Sequence, residues 1–185
     1  MTETEVSLIE GLLKQKRNAQ QQMLDSYGRD VFAQIARLIP AIEDAEEVYQ
    51  DVFVKVFRKI GKYDGEKSSL RTWVSRIAYN ETISFLRKKP AAVISYEDQG
   101  IDAYALTEAE VEETFGQPNA ETVQLIRAAL KHLPPEERAI ITMFYYEEMS
   151  LKEIAYVTES MPTTIASKLS RTRRKLCRII KMLQS

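Results

Sequence analysis

The sequence predicts an all-α protein: two small helical domains, a helical bundle and a helix-turn-helix, joined by an acidic linker. Three observations predict it. Apolar residues recur at the three-and-four spacing of amphipathic helices in every well-patterned segment, with no sustained alternation of the kind strands show. The six prolines, Pro40, Pro90, Pro118, Pro134, Pro135 and Pro162, fall where that spacing stops or restarts. Charge is segregated beneath a net value of −1. Lys55 to Lys89 carries ten bases against three acids, and Ser150 to Ser185 carries eight bases against Glu153 and Glu159. Ala91 to Leu125 carries eight acids and no base. Two basic blocks separated by an acidic stretch suggest two contacts with a polyanion. The 185 residues suffice for one ordinary domain or two small ones.

The elements follow in order. After a short N-terminal helix, Met23, Leu24, Tyr27, Val31, Phe32, Ile35, Ala36 and Ile39 form an apolar stripe that Pro40 ends. Ala45, Val48, Tyr49, Val52, Phe53, Val56, Phe57 and Ile60 form the strongest stripe, over four turns. Gly61 to Lys67 is a loop. Ser68 or Ser69 then caps a helix whose buried side is Leu70, Trp73, Val74, Ile77, Ala78 and Phe85, and Pro90 ends it. Residues 1–89 are thus the first domain. Residues 90–119 read as a flexible linker, with a weak helical pattern only around Leu106 to Val111.

The second domain, residues 120–185, starts with Val123, Ile126 and Leu130, breaks at Pro134-Pro135 and resumes with Ile140, Ile141, Phe144 and Tyr145. Ser150-Leu151-Lys152-Glu153 is a capping box: the serine oxygen accepts an amide proton and the glutamate reaches back. A turn over Thr158 to Met161 leads to Pro162, which opens a last helix with Ile165, Leu169, Leu176, Ile180 and Leu183 inside.

Composition removes several chemistries. One cysteine, Cys177, and one histidine, His132, give no support to a disulfide framework or a Cys/His zinc site. Leu130-Lys131-His132-Leu133 reads as a last helical turn, where a histidine faces carbonyl ends, and Cys177 reads as a packing residue. The scattered glycines form no phosphate loop. No metal, cofactor or catalytic residue is expected. The start, Met1 to Glu10, lacks the basic and apolar runs of a signal peptide, and no stretch approaches the ~18 apolar residues of a membrane span, so a cytoplasmic location is expected.

The binding faces come from helical geometry. A short capped helix, a turn and a longer basic helix make the helix-turn-helix plan, in which the second helix enters the major groove. At ~100° per residue, Thr163, Ser167, Ser170, Arg171, Arg174 and Arg178 lie opposite the leucine stripe. Small hydroxyls permit close approach to base edges, and arginine adds bidentate contacts to guanine or phosphate; a solvated basic face is the plainer alternative. On the helix after Ser69, Thr72, Arg76, Asn80 and Arg87 fall in one narrow sector with Trp73 at its border. A cation, an amide and an aromatic can hold a single strand, although such a Trp73 is more often a core residue and such an Asn80 a plain surface polar residue.

Two segments carry a resemblance. Asp44-Ala45-Glu46-Glu47-Val48-Tyr49-Gln50-Asp51-Val52-Phe53 and Ser68-Ser69-Leu70-Arg71-Thr72-Trp73-Val74-Ser75-Arg76-Ile77-Ala78-Tyr79-Asn80 look like region two of extracytoplasmic-function (ECF) sigma factors of the sigma-70 family. Leu133-Pro134-Pro135-Glu136-Glu137-Arg138, the start of the capped helix and Ser167 to Leu176 are similar to region four. The resemblance implies a sigma factor that directs bacterial core RNA polymerase to promoters. It implies that Asp44, Glu47, Gln50 and Asp51 dock on the polymerase. Acids early in a helix also favour its dipole, and Asp51 could pair with Lys55. Tyr63, Lys67 and Ser68, with Thr72, Trp73, Arg76, Asn80 and Arg87, would take the minus-10 strand, a flipped base being captured by the loop and Asn80. Thr163, Ala166, Ser167, Lys168, Ser170, Arg171, Arg173 and Arg174 would meet the minus-35 duplex. Of these, Ala166, Ser167, Ser170 and Arg171 occupy reading positions, and Lys168 and Arg173 resemble phosphate contacts. An anti-sigma factor is a further partner implied. Glu159 and Ser160 stand where the family usually has a glycine and an apolar residue in the turn.

The alternative from another class is a one-component helix-turn-helix repressor that binds duplex DNA without polymerase. It would need a ligand cavity or dimer face, whereas the acids of Asp44 to Asp51 favour polymerase binding.

Overall fold

The computed structural model describes residues 3–89, Phe115 and residues 120–184. Among these, every regular element is helical. The first unit comprises α1 (Glu3–Leu13), α2 (Arg17–Ala36), α3 (Ile42–Lys59), a single 3-10 turn (Ile60–Lys62) and α4 (Leu70–Lys88). The second comprises α5 (Ala120–Leu130), α6 (Pro135–Tyr145), α7 (Leu151–Val157) and α8 (Pro162–Leu183). No helix among the described residues is long and apolar enough to cross a membrane.

In the first unit α2, α3 and α4 pack mutually around Met23, Val31, Ile35, Val48, Val52, Val56, Leu70 and Val74. The α3 stripe does this as its spacing predicts: Ala45, Val48, Val52, Phe53 and Val56 are buried, and Tyr49 and Phe57 sit at the edge. α1 lies against α2 at close range, because Gly11 leaves room where a Cβ would meet that of Ala19 at 2.7 Å. Between α2 and α4, the Ser75 hydroxyl donates to Gln34 Oε1 at 3.0 Å, satisfying a buried polar pair.

The second unit packs α5, α6 and α7 on the inner face of α8, with Ile126, Leu133, Ile141, Met143, Ile154, Ile165, Leu176 and Ile179 at its centre. Thr172 fills the stripe between Leu169 and Leu176, while Leu183, expected inside, is exposed. Arg178 is half-buried rather than on the open face. α5 ends at Leu130, so His132 stands in the turn that follows and not in a last helical turn.

The weak helical pattern around Leu106 to Val111 lies outside the described residues. Phe115, also assigned to the linker, is helical and stacks on Tyr145 at 5.3 Å between ring centroids, with the Arg173 guanidinium over its ring at 5.4 Å from the centroid.

The two units are packed together, which the sequence did not lead one to expect. Leu38, just past α2, belongs to the core of the second unit and is almost wholly buried there. Arg138 Nη2 donates to the Leu38 carbonyl at 2.9 Å. Burial pushes the Arg138 guanidinium below its ordinary pKa, and its Nε is buried without a partner. α7 and α6 lie across α4, and Tyr156 reaches the first core while Tyr79 and Leu86 reach the second.

Candidate nucleic-acid and polymerase interface

Three surfaces carry the residues singled out by sequence. On α3, Glu47, Gln50 and Asp51 are exposed on one side of the helix. Asp44 is half-buried and accepts two hydrogen bonds from Lys89 Nζ, at 2.8 and 2.9 Å; the contact raises the Lys89 pKa. Asp51 does not form the ion pair with Lys55 that spacing allows, because Lys55 is committed to Glu81 on α4. Val54, one turn beyond Asp51 and two beyond Glu47, is an exposed apolar residue on the same side that charge-based reading overlooked.

The loop before α4 is ordered by its own side chains. Asp64 accepts the Glu66 amide at 3.0 Å and pairs with Lys67 at 3.1 Å, and these interactions, the amide first, hold its carboxyl below the ordinary value. The Tyr63 hydroxyl donates to the Ser68 carbonyl at 3.0 Å, and its ring meets Trp73 edge-on at 5.6 Å. Ser68 Oγ is buried without a hydrogen-bond partner. Ser69, not Ser68, is the cap, its oxygen accepting the Thr72 amide at 3.1 Å.

The α4 sector is where sequence and structure part. Asn80 and Arg87 are exposed, as expected of residues facing a strand. Trp73 is a core residue, 8% exposed, and its ring is not open for stacking with a base. Thr72, 1% exposed, is covered by the second unit: its hydroxyl donates to Glu153 Oε1 at 3.1 Å. Arg76 pairs with Glu159 and lies 4.9 Å over the ring of Tyr156, and Arg87 reaches Glu136 at 3.3 Å. The physical reason is the placement of α7 across α4, which puts the expected strand-facing sector at an interface.

α7 begins as predicted. The Ser150 amide donates to Glu153 Oε2 at 2.9 Å and Glu153 N donates to Ser150 Oγ at 3.3 Å. The Ser150 amide chiefly, with both hydroxyls, holds the Glu153 carboxyl below its ordinary pKa. The turn that follows is closed by Ser160 N donating to the Ala155 carbonyl at 2.9 Å, with Glu159 in the left-handed region at φ 53°. Such a φ disfavours any residue with a Cβ by roughly 1 to 2 kcal/mol.

α8 turns its outer face toward solvent. Thr163, Ala166, Ser167, Arg171 and Arg174 are exposed and Lys168 and Ser170 half-buried, while Ile165, Leu169 and Thr172 point inward. Ser167 Oγ donates to the Thr163 carbonyl at 3.0 Å, one turn back. Arg173 departs from the expected role of a free phosphate contact: it is half-buried and engaged with Phe115.

Sequence reasoning did not find Glu147. It lies in the loop after α6, 3.5 Å from Arg37 at the end of α2. Burial pushes its carboxyl up to about 7, and desolvation outweighs the opposing pull of Arg37 and Arg71.

A three-helix unit with an acidic outer face, a capped helix-turn-helix with a basic second helix, and a chain order that puts the bundle first define a transcription factor class, and the comparisons agree. Residues 23–91 match the model for Sigma-70 region 2, and residues 123–176 match that for Sigma-70, region 4. The chain belongs to the sigma-70 family of RNA polymerase sigma factors. Within it the chain is of the extracytoplasmic-function group. It is 25% identical to the RNA polymerase sigma-H factor of Pseudomonas aeruginosa over 98% of this chain and 96% of that protein. It is likewise 25% identical to ECF sigma factor SigW of Bacillus subtilis over 91% and 92%, and 24% identical to the ECF sigma-E factor of Escherichia coli over 94% and 92%. The fold is shared with the sigma factor RpoE solved with the anti-sigma factor NepR from Bartonella quintana, with TM-score 0.61 and 23% identity over 87% of this chain and 96% of that one. It is shared too with CnrH, solved with the cytosolic domain of CnrY, with TM-score 0.61 and 22% identity over 91% and 92%. The chain is thus a sigma factor of RNA polymerase, and the repressor reading is not favoured.

Proposed function

We propose that this sigma factor divides promoter recognition among three surfaces. The exposed acids of α3, namely Glu47 and Asp51 with Asp44 and Gln50 beside them, dock on core RNA polymerase. The loop from Tyr63 to Ser68, with Thr72, Arg76, Asn80 and Arg87, takes the opened minus-10 strand, base capture supplying the free energy for strand opening. α8 enters the major groove of the minus-35 element, where Ser167, Ser170 and Arg171, with Ala166 leaving room for close approach, read base edges and Thr163, Lys168 and Arg174 approach phosphate. The domain limits are residues 1–89 and 120–185 with 90–119 between them. The protein acts in the cytoplasm and has no catalysis of its own; an anti-sigma factor, of the kind the Bartonella relative was solved with, is its regulator.

The observation that carries this reading is the asymmetry of α8: an inner side that is apolar except for Thr172 fixes the helix in its unit, and the opposite side offers hydroxyls and arginines to solvent. Run-off transcription with core polymerase and a promoter library tests it. Transcripts that start downstream of one recurring pair of elements are expected; none above the polymerase-only background would overturn the reading.

A further inference from the structure

The four α3 residues assigned to polymerase docking are not equally available. Glu47, Gln50 and Asp51 are exposed, and among the described residues neither Glu47 nor Asp51 forms an ion pair. Asp44 differs. Both of its carboxylate oxygens accept hydrogen bonds from Lys89 Nζ, at 2.8 and 2.9 Å, and its side chain is only 23% exposed. Lys89 comes from a different helix, as the residue just past the end of α4, and is fixed at further points. Its amide donates to the Phe85 carbonyl at 3.0 Å, and its ammonium lies 5.7 Å from the centroid of the Phe85 ring. A lysine held at its backbone and attracted by a ring face loses less freedom in making the pair than an ordinary surface lysine does.

A cationic side chain of a partner that approaches Asp44 thus meets a carboxylate whose two oxygens are already engaged. It must displace Lys89, exchanging one charge-assisted pair for another of the same kind, so the exchange yields little net free energy. The ammonium also lies within the field of Glu47, and it weakens the attraction of that acid for the same partner. We propose that Lys89 is a built-in counter-ion of the docking face: by holding Asp44 it sets the affinity of the chain for core RNA polymerase below what the α3 acids alone would give. This rests on the assignment of those acids to polymerase docking. The residue that tunes docking therefore lies outside the docking helix, where the chain leaves the first unit.

The test measures binding of the full chain, labelled with fluorescein at its amino terminus, to core polymerase by anisotropy. Lys89→Gln should bind about twofold to fivefold more tightly than Lys88→Gln, which removes the same charge from the neighbouring exposed residue. Asp44→Asn should weaken docking by less than about twofold in the unaltered chain and by about twofold to fivefold in the Lys89→Gln chain. Binding by Lys89→Gln that is equal to or weaker than that of Lys88→Gln, or an equal effect of Asp44→Asn in both chains, overturns the counter-ion role. A variant carrying Glu47→Lys and Asp51→Lys is read in parallel. Its retention of polymerase overturns the docking reading itself; its loss of polymerase upholds that reading, so that equal affinities of Lys89→Gln and Lys88→Gln then overturn the role of Lys89 alone.

Discussion

The two basic blocks carry nearly the same surplus of charge, yet the structure leaves one open and covers the other. α8 turns Ser167, Arg171 and Arg174 to solvent, and its packing is chiefly on α5, α6 and α7 of its own unit. α4 has its corresponding sector beneath α7 and α6, where carboxylates take Thr72, Arg76 and Arg87. Net charge thus says that a surface can attract a polyanion, while the placement of a few opposite charges decides whether it is available.

The comparison can be broken at several points. The largest effect is expected at the α3 face. Asp44→Lys, Glu47→Lys and Asp51→Lys together should abolish the complex with core polymerase in a pull-down, with unchanged helicity by circular dichroism. Retention of polymerase by the triple variant would remove the docking assignment.

Next is the plug between the units. Leu38→Ala leaves a cavity in the core of the second unit and should destabilise the packed form by about 2 to 4 kcal/mol. Hydrogen exchange should then rise in α4 and α7 together. Unchanged protection there would mean that the covering of α4 does not depend on this contact.

Proton uptake gives a third handle. The Glu147 carboxyl, held up to about 7 by burial in the packed form against an ordinary 4.5, binds a proton there more tightly than when exposed. Its contribution is fully present below about pH 4.5 and lost as pH rises through about 7, amounting to ~2 to 3 kcal/mol across that window. Arg37, Arg71 and Asp30 are the charged groups that face it. The melting temperature should accordingly drop between about pH 5 and 8, and Glu147→Gln should flatten that part of the slope and raise the melting temperature at the alkaline end. An identical slope in the variant would exclude Glu147 as the cause.

On the open side, Arg171→Ala should weaken duplex promoter binding by roughly 1 to 3 kcal/mol and relax preference at one or two upstream positions. Asn80→Ala should have the smallest effect on duplex affinity, close to none, while lowering permanganate reactivity of thymines in the open complex. A reversal, with Arg171→Ala affecting only melting or Asn80→Ala only upstream binding, would exchange the roles of the two faces.

Much of each unit was legible because helices advertise themselves by period and punctuation. The α3 stripe, the prolines at 40, 134, 135 and 162, and the caps at Ser69 and Ser150 all lie where local rules put them. The outer face of α8 followed from the same geometry. Legibility stops at the seam between units. Thr72 and Trp73 have the sequence spacing of a border region, and only the arrival of α7 makes Thr72 an interface residue. Leu38 stands after its helix has ended, Glu147 sits in a loop, and Phe115 lies in a stretch dominated by acids, so none belongs to a repeat that could signal burial. Contacts between residues separated by eighty or more positions, such as Thr72 with Glu153, leave no periodic trace.

The anchoring of Phe115 sets a length. Twenty-five residues, 90 to 114, lie between Lys89 and the ring held by Tyr145 and Arg173. However that stretch is arranged, a chain of this size spans no more than roughly 90 Å. While the clamp holds, the two units can part only that far, so one aromatic side chain sets the longest tether between them.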